Sequence, residues 1–273
     1  MAVPPPQKVA AAEAAIAALG PVMVALSGGV DSSLLLALAV RAVGPDKVLA
    51  VTALGPVESE EDAKSAAEVA RITGAPHQIV HLDPLKIPEF PRNTPRRCYV
   101  CRQQLYAALE TIRASEGLAA ILDGAIADDA GDYRPGSRAA AEAGVVRPLA
   151  DAGLTKSEVR AISRELGLPT ADKPASPCLA SRFPYGELIT VEGLSTVARA
   201  EAFLHERGFP VVRVRHHGRV ARIEVPAEQI ALLAEEPLRT QVVTKLRDLG
   251  YAYICLDMLG FRSGSLNEVL PGR

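Results

Sequence analysis

Tryptophan is absent and aromatic residues make up only 4% of the 273 positions. A nucleic-acid platform of stacked rings therefore has little to be built from. Neither sign of charge dominates: 30 Lys and Arg stand against 32 Asp and Glu, a formal net charge of -2. That balance argues against a dedicated polyanion binder and leaves room for a local basic pocket. No apolar run approaches the roughly 18–20 residues of a bilayer-spanning helix, and the opening Met-Ala-Val-Pro-Pro-Pro-Gln-Lys lacks the apolar centre of a signal peptide. The expected location is the cytoplasm, with no membrane partner. Cysteine is scarce and unevenly placed, at Cys98, Cys101, Cys178 and Cys255. This excludes a disulfide scaffold and makes metal or redox-type chemistry the better use of the thiols in a reducing compartment. Cys255 lies in the alternating run Tyr251 to Leu256 and reads as a core residue.

What is present is a folding composition, 48% hydrophobic and 23% charged, in a chain long enough for one large domain or two smaller ones. Val22 to Leu26, Val48 to Ala53, Gln78 to Leu82 and Leu118 to Leu122 are continuous apolar runs that predict strands buried on both faces. Helical periodicity lies between them, over Ser32 to Val43, Ser59 to Thr73 and about Arg102 to Ser115. Thr155-Lys156-Ser157-Glu158 predicts a capping box opening a helix toward Gly167. The alternation predicts an α/β fold with a parallel, doubly wound sheet over residues 1–170. Residues 171–190 form a proline-rich connector holding Cys178, with no regular structure expected. Residues 191–273 predict a smaller α+β domain: a helix at about Val191 to Arg207, strands at Val211 to His216 and Val220 to Val225, more helix, and a last strand at Tyr251 to Leu256.

The sharpest motif is Ser27-Gly28-Gly29-Val30-Asp31-Ser32-Ser33, directly after one predicted strand and before a helix. Two glycines let the backbone turn its N–H groups toward an anion, while serine hydroxyls and the helix N-terminus add donors. The bland alternative is a polar turn capped by Ser32. Neither a Walker loop nor a G-x-G-x-x-G fingerprint occurs. The heptapeptide resembles the pyrophosphatase loop (PP-loop) of the ATP pyrophosphatase superfamily, which includes NAD synthetase, GMP synthetase, argininosuccinate synthetase and tRNA-thiolating enzymes. The resemblance implies an adenine nucleotide alpha hydrolase-like fold and a reaction in which ATP adenylates a substrate oxygen and releases pyrophosphate. Asp123-Gly124-Ala125-Ile126-Ala127-Asp128-Asp129 follows the fourth predicted strand and should lie at the same sheet edge. Gly124 is a candidate nucleotide contact, and Asp128 or Asp129 a candidate Mg2+ ligand beside the reading of a solvated acidic loop.

Cys98 and Cys101 have the spacing of a metal knuckle at the start of a helix, and Cys178 sits in the connector. A tetrahedral zinc site wants a fourth ligand, and His77 and His81 fall in or beside a strand. A [4Fe-4S] cluster tolerates three protein ligands. The remaining alternative is that Cys98 and Cys101 are small core hydrophobes.

Asp172 to Arg182, Gly131-Asp132-Tyr133-Arg134-Pro135-Gly136 and Arg213-Val214-Arg215, taken with the phosphate loop, resemble the LarE family over nearly the whole chain. The resemblance implies an ATP-dependent sulfur transferase for nickel-pincer cofactor biosynthesis and lactate racemase maturation. Its substrate would be pyridinium-3,5-biscarboxylic acid mononucleotide, whose carboxylates become thiocarboxylates. In one form of the family a single cysteine at the Cys178 position gives up its sulfur and ends as dehydroalanine. In the other, three cysteines hold a [4Fe-4S] cluster whose open iron carries sulfide, and Cys98, Cys101 and Cys178 sort this chain there. The same resemblance implies ATP and Mg2+ as cofactors, an unidentified sulfide donor and a homo-oligomer.

Arg213 and Arg215 alternate along one predicted strand, so both guanidinium groups share a face suited to the substrate's phosphate. Their alternative role is an exposed face paired with carboxylates. Arg182 is a candidate for steadying charge on the reacting carboxylate or pyrophosphate. Glu201 and Glu224 are candidate acids for a divalent metal, by the resemblance. Three competing readings stay open. A tRNA thiolase with an iron–sulfur cluster would need a basic face. An ammonia-using amidotransferase would not need the cysteine trio. A nucleotide sensor would bind ATP without releasing pyrophosphate.

Overall fold

The computed structural model describes residues 6–131 and 135–270. Of the Gly131 to Gly136 stretch, residues 132–134 therefore lie outside the described residues. The chain forms two compact units, one from the chain up to Pro84 with Cys98–Ser176, the other from Leu85–Arg97 with the chain from Pro177 onward.

In the first unit, α1 (Pro6–Leu19), β1 (Val22–Ala25), α2 (Val30–Val43), β2 (Val48–Leu54), α3 (Glu60–Thr73) and β3 (His77–His81) are followed by α4 (Arg97–Ser115), β4 (Ala120–Leu122), α5 (Pro135–Glu142), α6 (Pro148–Asp151) and α7 (Lys156–Glu165). The four strands pair in parallel in the order β3-β2-β1-β4. Side chains alternate across this sheet into two cores, as strand geometry requires. Val22 and Val24 join Leu34, Leu35, Leu36 and Leu38 of α2 on one face, while Met23 joins Val51, Tyr106, Leu109 and Ile121 on the other. Helix α2 is nearly enclosed because α1, α3 and α7 surround its outer side.

Two expectations and one alternative are corrected here. The third strand is not buried on both faces: β3 is a sheet edge, and none of its five residues is buried. Helix α4 begins at Arg97 rather than near Arg102, so Cys98 and Cys101 lie within its first turns. The residue capping α2 is Gly29, not Ser32.

The second unit holds α8 (Val191–His205), β5 (Arg213–His217), β6 (Val220–Glu224), α9 (Ile230–Ala234), α10 (Leu238–Asp248) and β7 (Tyr253–Leu256). Strand β6 pairs antiparallel with β5 through a tight turn and parallel with β7 after the helical crossover. Leu204, Phe209, Val214, Ile223 and Leu246 form its core. Cys255 is exposed rather than part of that core, because Ile254 and Leu256 take the inward positions of edge strand β7.

The connector has only one short 3-10 turn, Leu179–Arg182, yet it is firmly held. Asn93, buried at φ 52, donates through Nδ2 to the carbonyls of Phe183 (3.1 Å) and Pro184 (2.6 Å). Arg97 donates to Asn93 Oδ1 and to the Ala180 carbonyl (3.0 Å). Residues Leu85–Arg97 belong with the second unit through such bonds, which close loops of some ninety residues and leave no local sequence signal.

Candidate functional site

In the first unit, β1 ends beneath the phosphate loop. Gly28 has φ +75, and a Cβ there would lie 2.1 Å from the Asp62 carbonyl oxygen, so only glycine fits. Ser32 Oγ accepts from Ser27 N (3.1 Å) and lies 3.0 Å from Ser27 Oγ, while Ser33 Oγ donates to the Gly29 carbonyl (2.7 Å). The serines thus brace the turn from inside. The first N–H groups of α2, which have no intrahelical acceptor, point out of its N-terminus as an anion cradle. Gly124 packs directly on that turn: a Cβ would sit 2.8 Å from Ser32 N.

Two lysines reach the loop from distant positions. Lys156 Nζ bonds both carboxylate oxygens of Asp31 (2.8 and 2.6 Å), and its backbone N–H donates to Asp128 Oδ2 (2.8 Å). It stands at the first position of α7, where the Thr155–Glu158 capping box fixes the helix start. Lys173 Nζ donates to the Gly28 carbonyl (3.1 Å) and Ser65 Oγ (2.7 Å) and pairs with Asp62 (2.7 Å). Asp129 Oδ2 accepts from Ile126 N (3.0 Å), so both acids of that turn hold backbone. At the same sheet edge, beyond β2, burial raises Glu58 from 4.5 to about 7, with backbone hydrogen bonds and the Arg102 charge opposing.

Cys98 is exposed and Cys101 half-buried, one helical turn apart in α4. In the second unit Cys178 is exposed just before the 3-10 turn, and its carbonyl accepts from Ser181 N (2.9 Å) and Arg182 Nη1 (3.3 Å). Three thiols are the right donor chemistry for an iron–sulfur cluster. Among the described residues, however, no group of three or more His, Cys, Asp or Glu side chains is gathered for a metal ion.

The predicted charged residues of the second unit form one buried network. Arg182 makes a two-pronged pair with Glu201 (Nε–Oε1 2.9 Å, Nη2–Oε2 2.7 Å), and Glu201 Oε1 also accepts from Val214 N (2.8 Å). Arg215 pairs with Glu224 (2.7 Å) and donates to the Ser181 carbonyl and Ser265 Oγ (both 3.0 Å). Arg222 takes the other Glu224 oxygen (3.1 Å) and Asp257 (3.2 Å). Arg213 is buried with its Nη1 on the Val212 carbonyl (2.6 Å) and its guanidinium 5.2 Å from the centre of the Phe261 ring. Burial and then the Arg182 charge lower Arg213 to about 10, still cationic at neutral pH. Beside the network is a cavity of about 180 Å³, lined among others by Arg182, Arg215, His217, Arg222 and Arg262. Glu268 also lines the cavity and pairs with Arg262 (3.0 Å), so each of the four guanidinium groups has a carboxylate partner that a phosphate would have to replace or share.

Residues 9–89 match the NAD synthase family, a stretch that covers the loop and the strands around it. The chain is 41% identical over 257 residues to pyridinium-3,5-bisthiocarboxylic acid mononucleotide synthase of Lactiplantibacillus plantarum, spanning 94% of this chain and 92% of that protein. The chain belongs to the LarE family. An uncharacterised protein of Synechocystis sp. is 42% identical over 248 residues, 91% of this chain and 92% of that one. The NH(3)-dependent NAD(+) synthetase of Hyperthermus butylicus is 33% identical over 172 residues, 58% of this chain and 59% of that protein.

For this LarE-family chain, sequence reasoning named the loop, Gly124 and Asp128, which the structure places around one turn of the first unit. It named Arg182, Glu201, Arg213, Arg215 and Glu224, which lie together in the second. It missed Lys156 and Lys173. The capping box was a usable signal for the first, since it shows where α7 starts; nothing local shows that α7 starts at the phosphate loop.

Proposed function

We propose that the chain is an ATP-dependent sulfur transferase acting on pyridinium-3,5-biscarboxylic acid mononucleotide in nickel-pincer cofactor biosynthesis. The single observation that supports it most is the phosphate loop, with its glycine turn, helix N-terminus and Lys156 at Asp31. Such a site suits the pyrophosphate part of ATP, with Mg2+ held near Asp31 and Asp128 to offset phosphate charge. A substrate carboxylate oxygen attacks the α-phosphorus, pyrophosphate leaves, and the acyl adenylate then accepts a sulfur nucleophile at its carbonyl carbon with loss of AMP. The arginine-lined cavity of the second unit, with Arg213 and Arg215 in its network, supplies the chemistry to hold the mononucleotide phosphate. Homo-oligomeric assembly belongs to the same reading.

The sulfur step has two forms. A [4Fe-4S] cluster on Cys98, Cys101 and Cys178 would supply an open iron carrying sulfide. The exposure of Cys178 also favours the second form, in which its thiolate attacks the acyl adenylate. Loss of the Cα proton then breaks the Cβ–Sγ bond, giving thiocarboxylate and dehydroalanine. Pyrophosphate release that depends on the mononucleotide, with mass spectrometry of product and polypeptide, tests the whole. Several product equivalents with an intact chain and about four irons after anaerobic reconstitution mean the cluster. One equivalent with sulfur lost at residue 178 means sacrifice, and no pyrophosphate overturns the proposal.

A further inference from the structure

Lys173 is almost enclosed, with 12% of its side chain exposed beside an Asp62 side chain at 17%. Its three partners belong to the phosphate loop and the first turns of α3: the Gly28 carbonyl, Asp62 and Ser65. A peptide's C=O and N–H point in opposite directions, so holding the Gly28 carbonyl on Lys173 turns the Gly29 N–H the other way. That N–H donates to Ser27 Oγ at a long 3.4 Å, a weak bond that an anion can replace. Lys173 also neutralises Asp62, whose charge would otherwise face a polyphosphate.

The lysine is itself gripped from α7. Arg160 donates to the carbonyls of Ala171 (2.7 Å) and Lys173 (2.8 Å). One helical turn earlier on α7, Lys156 pairs with Asp31 of the loop. The contacts close a ring: loop, Lys156, α7, Arg160, residues 171–173, Lys173, and loop again.

We infer that Lys173 is a positioning residue for the nucleotide, aiming the Gly28–Gly29 peptide at the pyrophosphate and tying residues 171–173, the approach to Cys178, to the occupancy of the loop. The inference rests on ATP binding at this loop and adds a residue and a coupling to it.

ATP binding to the full chain, measured calorimetrically without mononucleotide, is the first readout; amide hydrogen exchange over residues 168–176 with and without ATP is the second. Lys173→Met is expected to weaken ATP binding about tenfold, the loss of one charge-assisted contact beside an unmasked carboxylate. It is also expected to abolish the ATP-induced protection of 168–176 expected of the wild type, while Lys173→Arg stays within about threefold and keeps the protection. Unchanged binding and protection in Lys173→Met overturn the inference. Should that variant fail to fold, Asp62→Asn leaves the cation and removes its anchor: an affinity loss of about threefold with faster exchange supports the inference, and wild-type behaviour overturns it. A wild-type chain that binds no ATP would instead refute the proposed function.

Discussion

Around the phosphate loop, the Lys156 and Asp31 side chains keep 38% and 28% of their exposure, whereas Arg182 and Glu201 in the second unit keep 3% and 6%, and Arg215 and Glu224 keep 9% and 1%. Half-solvated pairs contribute about 0–1 kcal/mol, so an incoming polyphosphate can take one partner over at little cost. Enclosed pairs differ: removing one member strands the other charge and costs about 3–5 kcal/mol. The Lys156–Asp31 pair of the first unit thus has charges that can be traded for a ligand, unlike the nearly enclosed Lys173–Asp62 pair beside it. The second unit has charges that hold Cys178 and the connector in place, and its cavity arginines Arg222 and Arg262 are themselves paired with Glu224, Asp257 and Glu268.

The contrast can be broken most directly at Arg182. Arg182→Ala should destabilise the second unit by about 3–5 kcal/mol, read as a lowered denaturation midpoint; a midpoint within error of wild type would show that the Glu201 pair is not an enclosed ion pair. In the first unit, Glu58 gives a pH test. Its folded value of about 7 lies above its ordinary 4.5, so the native state holds the proton more tightly and stability falls as pH rises between those values. The span is on the order of 3 kcal/mol, and Glu58→Gln should flatten the slope in urea titrations at pH 5 and 8. Removing the cap with Thr155→Ala should cost about 1 kcal/mol and, by loosening the start of α7, also weaken ATP binding. The smallest stability effect belongs to Lys156→Ala, below about 1 kcal/mol, yet ATP affinity should fall severalfold. If instead its melting shifted as far as that of Arg182→Ala, the contrast between traded and structural charge would disappear.

The legible parts of the site were those with a local cause. A glycine pair between an apolar run and a helical period announces a strand, a turn and a helix N-terminus without reference to the rest of the chain. The alternation Arg213, Val214, Arg215 likewise put both arginines on one face. That this face is enclosed, with Glu224 opposite and Glu201 arriving from α8, depends on pairing across strands and on helix packing. The expected burial of Gln78 to Leu82 fails for the same reason: the run looks central by composition, and strand order makes β3 an edge.

By itself, then, the amino-acid order determined the parallel α/β unit, the phosphate loop, the capped helix α7 and the smaller α+β unit, because glycine conformations, caps and hydrophobic periods act over a few residues. Only the tertiary structure decided that Lys156 and Lys173, 125 and 145 residues beyond their partners Asp31 and Gly28, meet at that loop. It likewise decided that Cys255 faces outward and that Asn93 and Arg97 hold the connector. Those outcomes follow from which surfaces the two cores bring together, and residues far apart in the chain carry no local mark of such a meeting.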